Sequence, residues 1–156
     1  LLSALCRTLV ALLTMCADQE QCTSFAALLR DAAEEVLYSS KVDLVLQCHE
    51  HDMERSRPTY HGSPVSQNYS SPTAPVYIVN GAGGNREGNS NPGGESVSPA
   101  CCCCLCSRFC AGREPWSAWH SIERGYGIIT VSSTHALQWQ FIASNGTVLD
   151  SITITK

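Results

Sequence analysis

The residues best suited to chemistry lie in one short stretch, Val42 to Arg55, which reads VDLVLQCHEHDMER. It holds two histidines in the spacing H-x-H, His49 and His51. Imidazole is a good ligand for iron, zinc and manganese, and all three serve in hydrolysis. A tight loop can aim such a pair at one metal, or one imidazole each at two neighbouring metals. By spacing alone the pair also fits two solvent-facing loop residues. Cysteine is the second concentration of ligand atoms. The chain has ten, and Cys101, Cys102, Cys103, Cys104, Cys106 and Cys110 crowd into one block. C-x-x-C occurs there twice, at 101/104 and 103/106, a spacing that zinc knuckles use. A usual site adds a second knuckle about a dozen or more residues on, and none follows here. The missing knuckle weighs against a zinc site. A soft-metal thiolate cluster and an acylated cysteine patch are the alternatives. Cys16 and Cys22 are spaced for a small-loop disulfide, which would suit an oxidising compartment.

The elements around the histidines must position them. Val42 to Leu46 is an apolar run with branched residues, which predicts a strand buried on both faces of a sheet covered by helices. Such a strand delivers His49 and His51 to the loop at its carboxyl end, where sites in α/β sheets collect. Residues 24–40 predict a helix. Phe25, Leu28, Leu29, Ala32, Ala33, Val36 and Leu37 form one apolar stripe, and Ser24 can cap the start. Arg30, Asp31, Glu34 and Glu35 fall on the outer face. Residues 1–17 are apolar but broken by Arg7, and shorter than the about 20 residues a membrane span needs. A buried helix or strand is expected there, with the hydrophobic part of a signal peptide as the alternative.

Segment 56–75 is rich in Ser, Pro, Thr and Asn and reads as loop. Val76 to Val79 predicts a second strand, running into a glycine turn at 81–85, with loop or linker over 86–100. The end of the chain reads as β. Tyr126 to Ser133 is one strand. Leu137, Trp139 and Phe141 alternate with Gln138 and Gln140 in a half-buried second strand. Asn145-Gly146 predicts a tight hairpin with positive φ at both positions, and Val148 to Thr155 pairs back.

Composition sets bounds. The chain has 156 residues, enough for one domain with a core, and 44% are hydrophobic against 15% charged, which excludes a disordered polyampholyte. Net charge is −4 and the ten basic residues are spread thinly, so no basic patch exists for a nucleic-acid backbone. The chain begins with Leu rather than Met, as a piece of a longer or processed protein would.

The string H-E-H-D-M-E-R after V-D-L-V-L resembles the last metal motif of the purple acid phosphatases. These are binuclear metallophosphoesterases whose pattern there is roughly G-H-x-H-x-Y-E-R. Residues 76–88 (VYIVNGAGGNREG) resemble the segment that follows it in that family. Pro115 to Trp119 and Tyr126 to Val131 resemble its closing strands, and 17–40 its preceding helix. The resemblance covers about 22–98 and 114–156, in order. It implies an α/β fold: the C-terminal part of a metallophosphoesterase αββα sandwich, one helix plus mixed strands ending in an antiparallel meander. It divides the chain into an apolar divergent segment (1–22), the metallophosphoesterase portion (23–98), the Cys-rich insertion (99–113) and the closing strands (114–156); lying between two family-like segments, the Cys block reads first as an insertion without function.

The resemblance further implies phosphomonoester hydrolysis at acidic pH, a phosphate-ester substrate, and a centre of Fe(III) plus a divalent Fe, Zn or Mn. Carried over by position, His49 would bind the divalent ion and His51 the ferric one. Glu54 and Arg55 match the E-R and are read as a structural pair holding the loop, while Asp52 lies where the family varies and takes no role. A secreted, lysosomal or vacuolar location would make Asn68 and Asn145 glycosylation acceptors. Trp116, Trp119 and Trp139 are read as packing, and His61, His120 and His135 take no ligand role.

This sequence also departs from the pattern. The glycine before the first histidine is Cys48, read as an inert buried thiol, with a thiolate near the metals as the alternative. The aromatic before E-R is Met53. Residues 1–47 contain no G-D, no G-N-H and no H-x-P, so the family's other ligands are absent. Two histidines do not hold a two-metal centre, and the chain alone is expected to be an inactive portion. Its strand 42–47 is expected to lack parallel neighbours and to leave an apolar face open. The competing reading is a non-catalytic, Cys-rich metal-binding or interaction protein derived from a phosphatase. No membrane span is expected.

Overall fold

The structure, a computed structural model, describes residues 8–10, 32–48, 51–84, 89 and 115–156. The Cys101–Cys110 block, Cys16, Cys22, His49 and the predicted first part of the helix lie outside the described residues.

Two neighbouring residues explain the layering. Leu44 and Val45 are adjacent on strand β2 (Leu44–Gln47) and are 0% and 1% exposed. Successive strand residues point to opposite faces, so β2 is buried on both, as its apolar run predicts. Leu44 packs into one cluster with Val76, Ile78, Trp139 and Phe141. Val45 packs into another with Val42, Tyr77 and Leu37. The sheet is therefore sandwiched between a helix and a second sheet.

That central sheet has the order β1-β2-β6-β3-β7, with β1 Thr8–Val10, β3 Met53–Ser56, β6 Val76–Asn80 and β7 Ser117–Ser121. β2 runs parallel to both β1 and β6. β3 runs antiparallel to both β6 and β7. One expectation is corrected here. β2 does not lack parallel neighbours: Thr8–Val10, from the apolar run 1–17, pairs with Leu44–Leu46. A buried strand's N–H and C=O groups need partners, and this branched apolar segment supplies them. Glu54 and Arg55, read as a structural pair holding the loop, lie in β3 between β6 and β7.

Helix α1 is described over residues 32–39. Leu37 is buried as predicted, but Val36 of the same stripe is 60% exposed, and Glu34 is 8% exposed rather than outward. The cause is a hairpin, β4 (Thr59–Tyr60) and β5 (Ser63–Pro64), within the segment read as loop. Its turn residues His61 and Gly62 have φ of 50° and 67°, the backbone of a type I′ turn. Glu34 Oε1 accepts the His61 backbone N–H at 2.7 Å. Glu35 Oε2 accepts the Tyr60 hydroxyl, and the Tyr38 and Tyr60 rings stack at 3.9 Å. The hairpin thus covers the flank on which Glu34 lies.

The helix ends in a Schellman arrangement. Lys41 has φ 53° and donates its N–H to Tyr38 O, while Val42 N–H reaches Leu37 O. Leu37 and Val42 then share the cluster beneath α1, the contact this motif favours.

The second sheet is the predicted meander, in the order β10-β9-β8, with β8 Gly125–Ser133, β9 Ala136–Ala143 and β10 Val148–Thr155. Leu137, Trp139 and Phe141 face the central sheet at 4%, 1% and 0% exposure. Gly127 is paired with Phe141, and the Trp139 indole lies over it: a Cβ built there would fall 1.7 Å from the ring. The β9–β10 turn differs from expectation. Of its two central residues only Gly146 has positive φ, at 86°. Gly146 N–H bonds Ala143 O and Ala143 N–H bonds Thr147 O, with a register shift between Val148 and Asp150. This is the longer hairpin loop with a left-handed glycine and a bulge. No helix among the described residues is long and apolar enough to cross a membrane.

Candidate functional site

The loop between β2 and β3 leaves the carboxyl end of a parallel strand. Cys48, one residue beyond β2, is exposed, which corrects its reading as a buried thiol. It lies one residue past the last pair of the β2–β6 ladder, Gln47 with Val79. His51 is half-buried and engages in an interaction of its own.

The next residue turns inward. Asp52 is 4% exposed. Its backbone carbonyl accepts the Gly81 N–H at 2.9 Å. Its Oδ2 lies 3.1 Å from Nε2 of His120, and the two side chains are 6% and 9% exposed. The second oxygen, Oδ1, is buried without a hydrogen-bond partner, a cost of roughly 1–3 kcal/mol that the rest of the loop must offset. Sequence reading gave neither residue a role. They are 68 positions apart, and only the β3–β7 pairing, which sets Glu54 opposite His120, brings them together.

Arg55 anchors the strand that leaves the loop. Its Nε and Nη2 donate to Asp150 Oδ2 and Oδ1 at 2.7 and 2.8 Å, and Nη1 donates to the Tyr69 hydroxyl. Tyr69 in turn donates to Ser56 O at 3.0 Å. Burial alone would pull the Arg55 pKa down, but the hydrogen bonds and charges of Asp150 and Tyr69 outweigh it and hold it above its ordinary value. Burial likewise raises Tyr69, against the lowering effect of Arg55. A forked guanidinium–carboxylate pair is the strong form of an ion pair. It ties β3, and hence the histidine loop, to β10 of the meander.

The described residues meet a binuclear centre only in part. His51 is an imidazole donor at a strand's carboxyl end, but no three His, Cys, Asp or Glu side chains among the described residues form a ligating cluster. Among the described residues, the carboxylate nearest in sequence, Asp52, lies against His120.

Comparison with known proteins matches this architecture. The family model described as "Iron/zinc purple acid phosphatase-like protein C" matches residues 107–151. Acid phosphatase type 7 of Danio rerio is 28% identical over 89% of this chain and 31% of its own length. Purple acid phosphatase 15 of Arabidopsis thaliana is 32% identical over 84% of this chain and 27% of its own. The chain belongs to the purple acid phosphatases and matches their C-terminal portion. Acid phosphatase A of Cryphonectria parasitica is 33% identical over 81% of the chain and 22% of its own length. The structure of purple acid phosphatase PPD1 from yellow lupin seeds superposes with a TM-score of 0.71 at 19% identity, over 95% of this chain and 24% of that one. The fold class inferred from sequence is the purple acid phosphatase one, and the chain spans less than a third of the length of these relatives.

Proposed function

We propose that this chain carries the last histidine loop of a binuclear-metal acid phosphatase that hydrolyses phosphomonoesters. The observation that carries the reading is the loop itself. Residues 48–52 leave the carboxyl end of β2, a strand flanked by parallel neighbours, and return through β3, which a buried arginine pins to the meander. His49 and His51 would each give one imidazole, His49 to the divalent ion (Fe, Zn or Mn) and His51 to Fe(III). When bound, such a pair of metals supplies Lewis-acid polarisation of the phosphate and a nucleophilic hydroxide near neutral pH. The part played by this chain's own residues is presentation. Asp52 and Arg55 hold the end of the histidine loop that runs into β3.

The remaining ligands the family uses are not found in residues 1–47, so the chain by itself is proposed to bind metal weakly and to turn over no substrate. A secreted, lysosomal or vacuolar location accompanies this reading, with glycans on Asn68 and Asn145, both exposed. The test is hydrolysis of p-nitrophenyl phosphate by the purified chain with iron and zinc supplied, beside zinc titration of the chain and of His49→Ala and His51→Ala. Weak zinc binding that either substitution abolishes, without turnover, is the expected result. Turnover at rates typical of an intact phosphatase would overturn the inactive-portion reading. Zinc binding indifferent to both histidines would overturn the site.

A further inference from the structure

We propose that His120 is a positioning residue for the histidine loop and that it acts through Asp52. This inference rests on the reading of His51 as a ligand. Asp52 follows His51 directly in the chain, so the direction in which Asp52 points constrains the backbone that carries the imidazole. Three contacts fix Asp52. Its carbonyl accepts from Gly81. The next residue, Met53, is fully buried and registered between Asn80 of β6 and Ser121 of β7. The Asp52 carboxylate meets His120 Nε2 at 3.1 Å, and both side chains are under a tenth exposed.

The first two contacts fix the backbone after the loop. Among the described residues, it is the His120 contact that fixes the side chain at the loop's end, and Asp52 Oδ1 has no partner. A buried carboxylate with one anchoring hydrogen bond swings when that bond is lost, and the residue before it moves too. His120 stands on β7, a strand that contributes none of the proposed ligands, so its effect on the site has to pass through Asp52.

The experiment uses the full chain with four substitutions: His51→Ala, His120→Gln, His120→Leu and the pair Asp52→Leu/His120→Leu. Glutamine keeps an N–H donor for Asp52 Oδ2, and leucine does not. Replacing both partners by apolar groups can restore stability, since no polar atom is then left orphaned. Three readouts are taken: the thermal midpoint, the NMR resonances of the His51 amide and imidazole, and affinity for zinc alone. His120→Leu is expected to broaden or split the His51 resonances and weaken zinc binding roughly tenfold, the scale of outer-shell substitutions at metal sites. His120→Gln is expected to retain both. The double variant is expected to regain its thermal midpoint but not its zinc affinity, a separation that a purely structural role would not produce.

Unchanged His51 resonances and zinc affinity in His120→Leu would overturn the positioning role. So would recovery of zinc affinity in step with stability in the double variant. Zinc binding unaffected by His51→Ala would instead sink the ligand reading, while the His51 resonances would still report on positioning.

Discussion

The guanidinium of Arg55 grips the carboxylate of Asp150 with two hydrogen bonds, at 2.7 and 2.8 Å, across 95 positions of sequence. Both side chains are nearly buried, at 10% and 6% exposure. The pair joins the central sheet to the meander. Because β3 also follows the histidine loop directly, the meander braces one end of that loop through this pair. Removing one partner of a buried pair leaves an uncompensated charge, at a cost of about 3–5 kcal/mol. Asp150→Asn and Arg55→Met are each expected to lower stability by that order in urea unfolding. The pair Arg55→Met/Asp150→Leu is expected to lose less than the sum of the two. Additive losses would mean the two groups are not coupled.

Gly127 offers a test of the meander's packing. Its Cβ position is occupied by the Trp139 ring, with three ring atoms between 1.7 and 2.6 Å away. Trp139 is 1% exposed and cannot yield into solvent. Gly127→Ala is expected to cost at least about 1–3 kcal/mol, as overpacking does. Gly83→Ala, where nothing lies within 4 Å and φ is not positive, serves as the control and is expected to be near neutral. Trp139 fluorescence should shift in the first variant and not in the second.

Lys41 sits in the left-handed region at φ 53° in the helix C-terminal motif. A side chain there carries backbone strain that glycine does not. Lys41→Gly is expected to stabilise the chain by up to about 1 kcal/mol, read as a higher thermal midpoint. A lower midpoint would show that the lysine side chain outweighs its strain.

Alkaline pH should weaken the fold in a defined sense. Tyr60 is pushed up to about 12 by its hydrogen bond to Glu35, with burial and the Glu35 charge adding to it. Tyr77 is raised by burial and then by the charge of Glu34. A phenol whose folded pKa exceeds its unfolded value of about 10 keeps its proton longer in the fold. Its contribution is full below pH 10 or so and is lost as pH rises through the folded value, about 12 for Tyr60. The thermal midpoint by circular dichroism is therefore expected to fall as pH climbs past 10. Tyr77→Phe should make that decline shallower; an equally steep decline would remove Tyr77 as a cause.

The β architecture was legible locally. Val76 to Val79, the alternation through Leu137, Trp139 and Phe141, and the doubly buried run at Leu44–Val45 each announce themselves within a few residues, because strand burial has a period of two. The His61-Gly62 hairpin was not legible, since histidine is an uncommon left-handed turn residue and the surrounding Ser, Pro and Asn read as loop. The helix pattern misled at two positions. Periodicity gives a face, but what covers its flank belongs to another segment, here the β4–β5 hairpin over Glu34.

By itself, then, the sequence determined the class of the fold, the family and the pair of histidines that motivates the proposed chemistry. These follow from local periodicity and from motifs whose residues are neighbours in the chain. The tertiary structure alone decided how the histidine loop is held. Asp52 finds His120 across 68 positions, Arg55 finds Asp150 across 95, and Glu34 finds the His61 amide across 27. Polar groups buried by folding must be paired, and the partner is chosen by strand register and layer packing, which no local pattern of residues encodes.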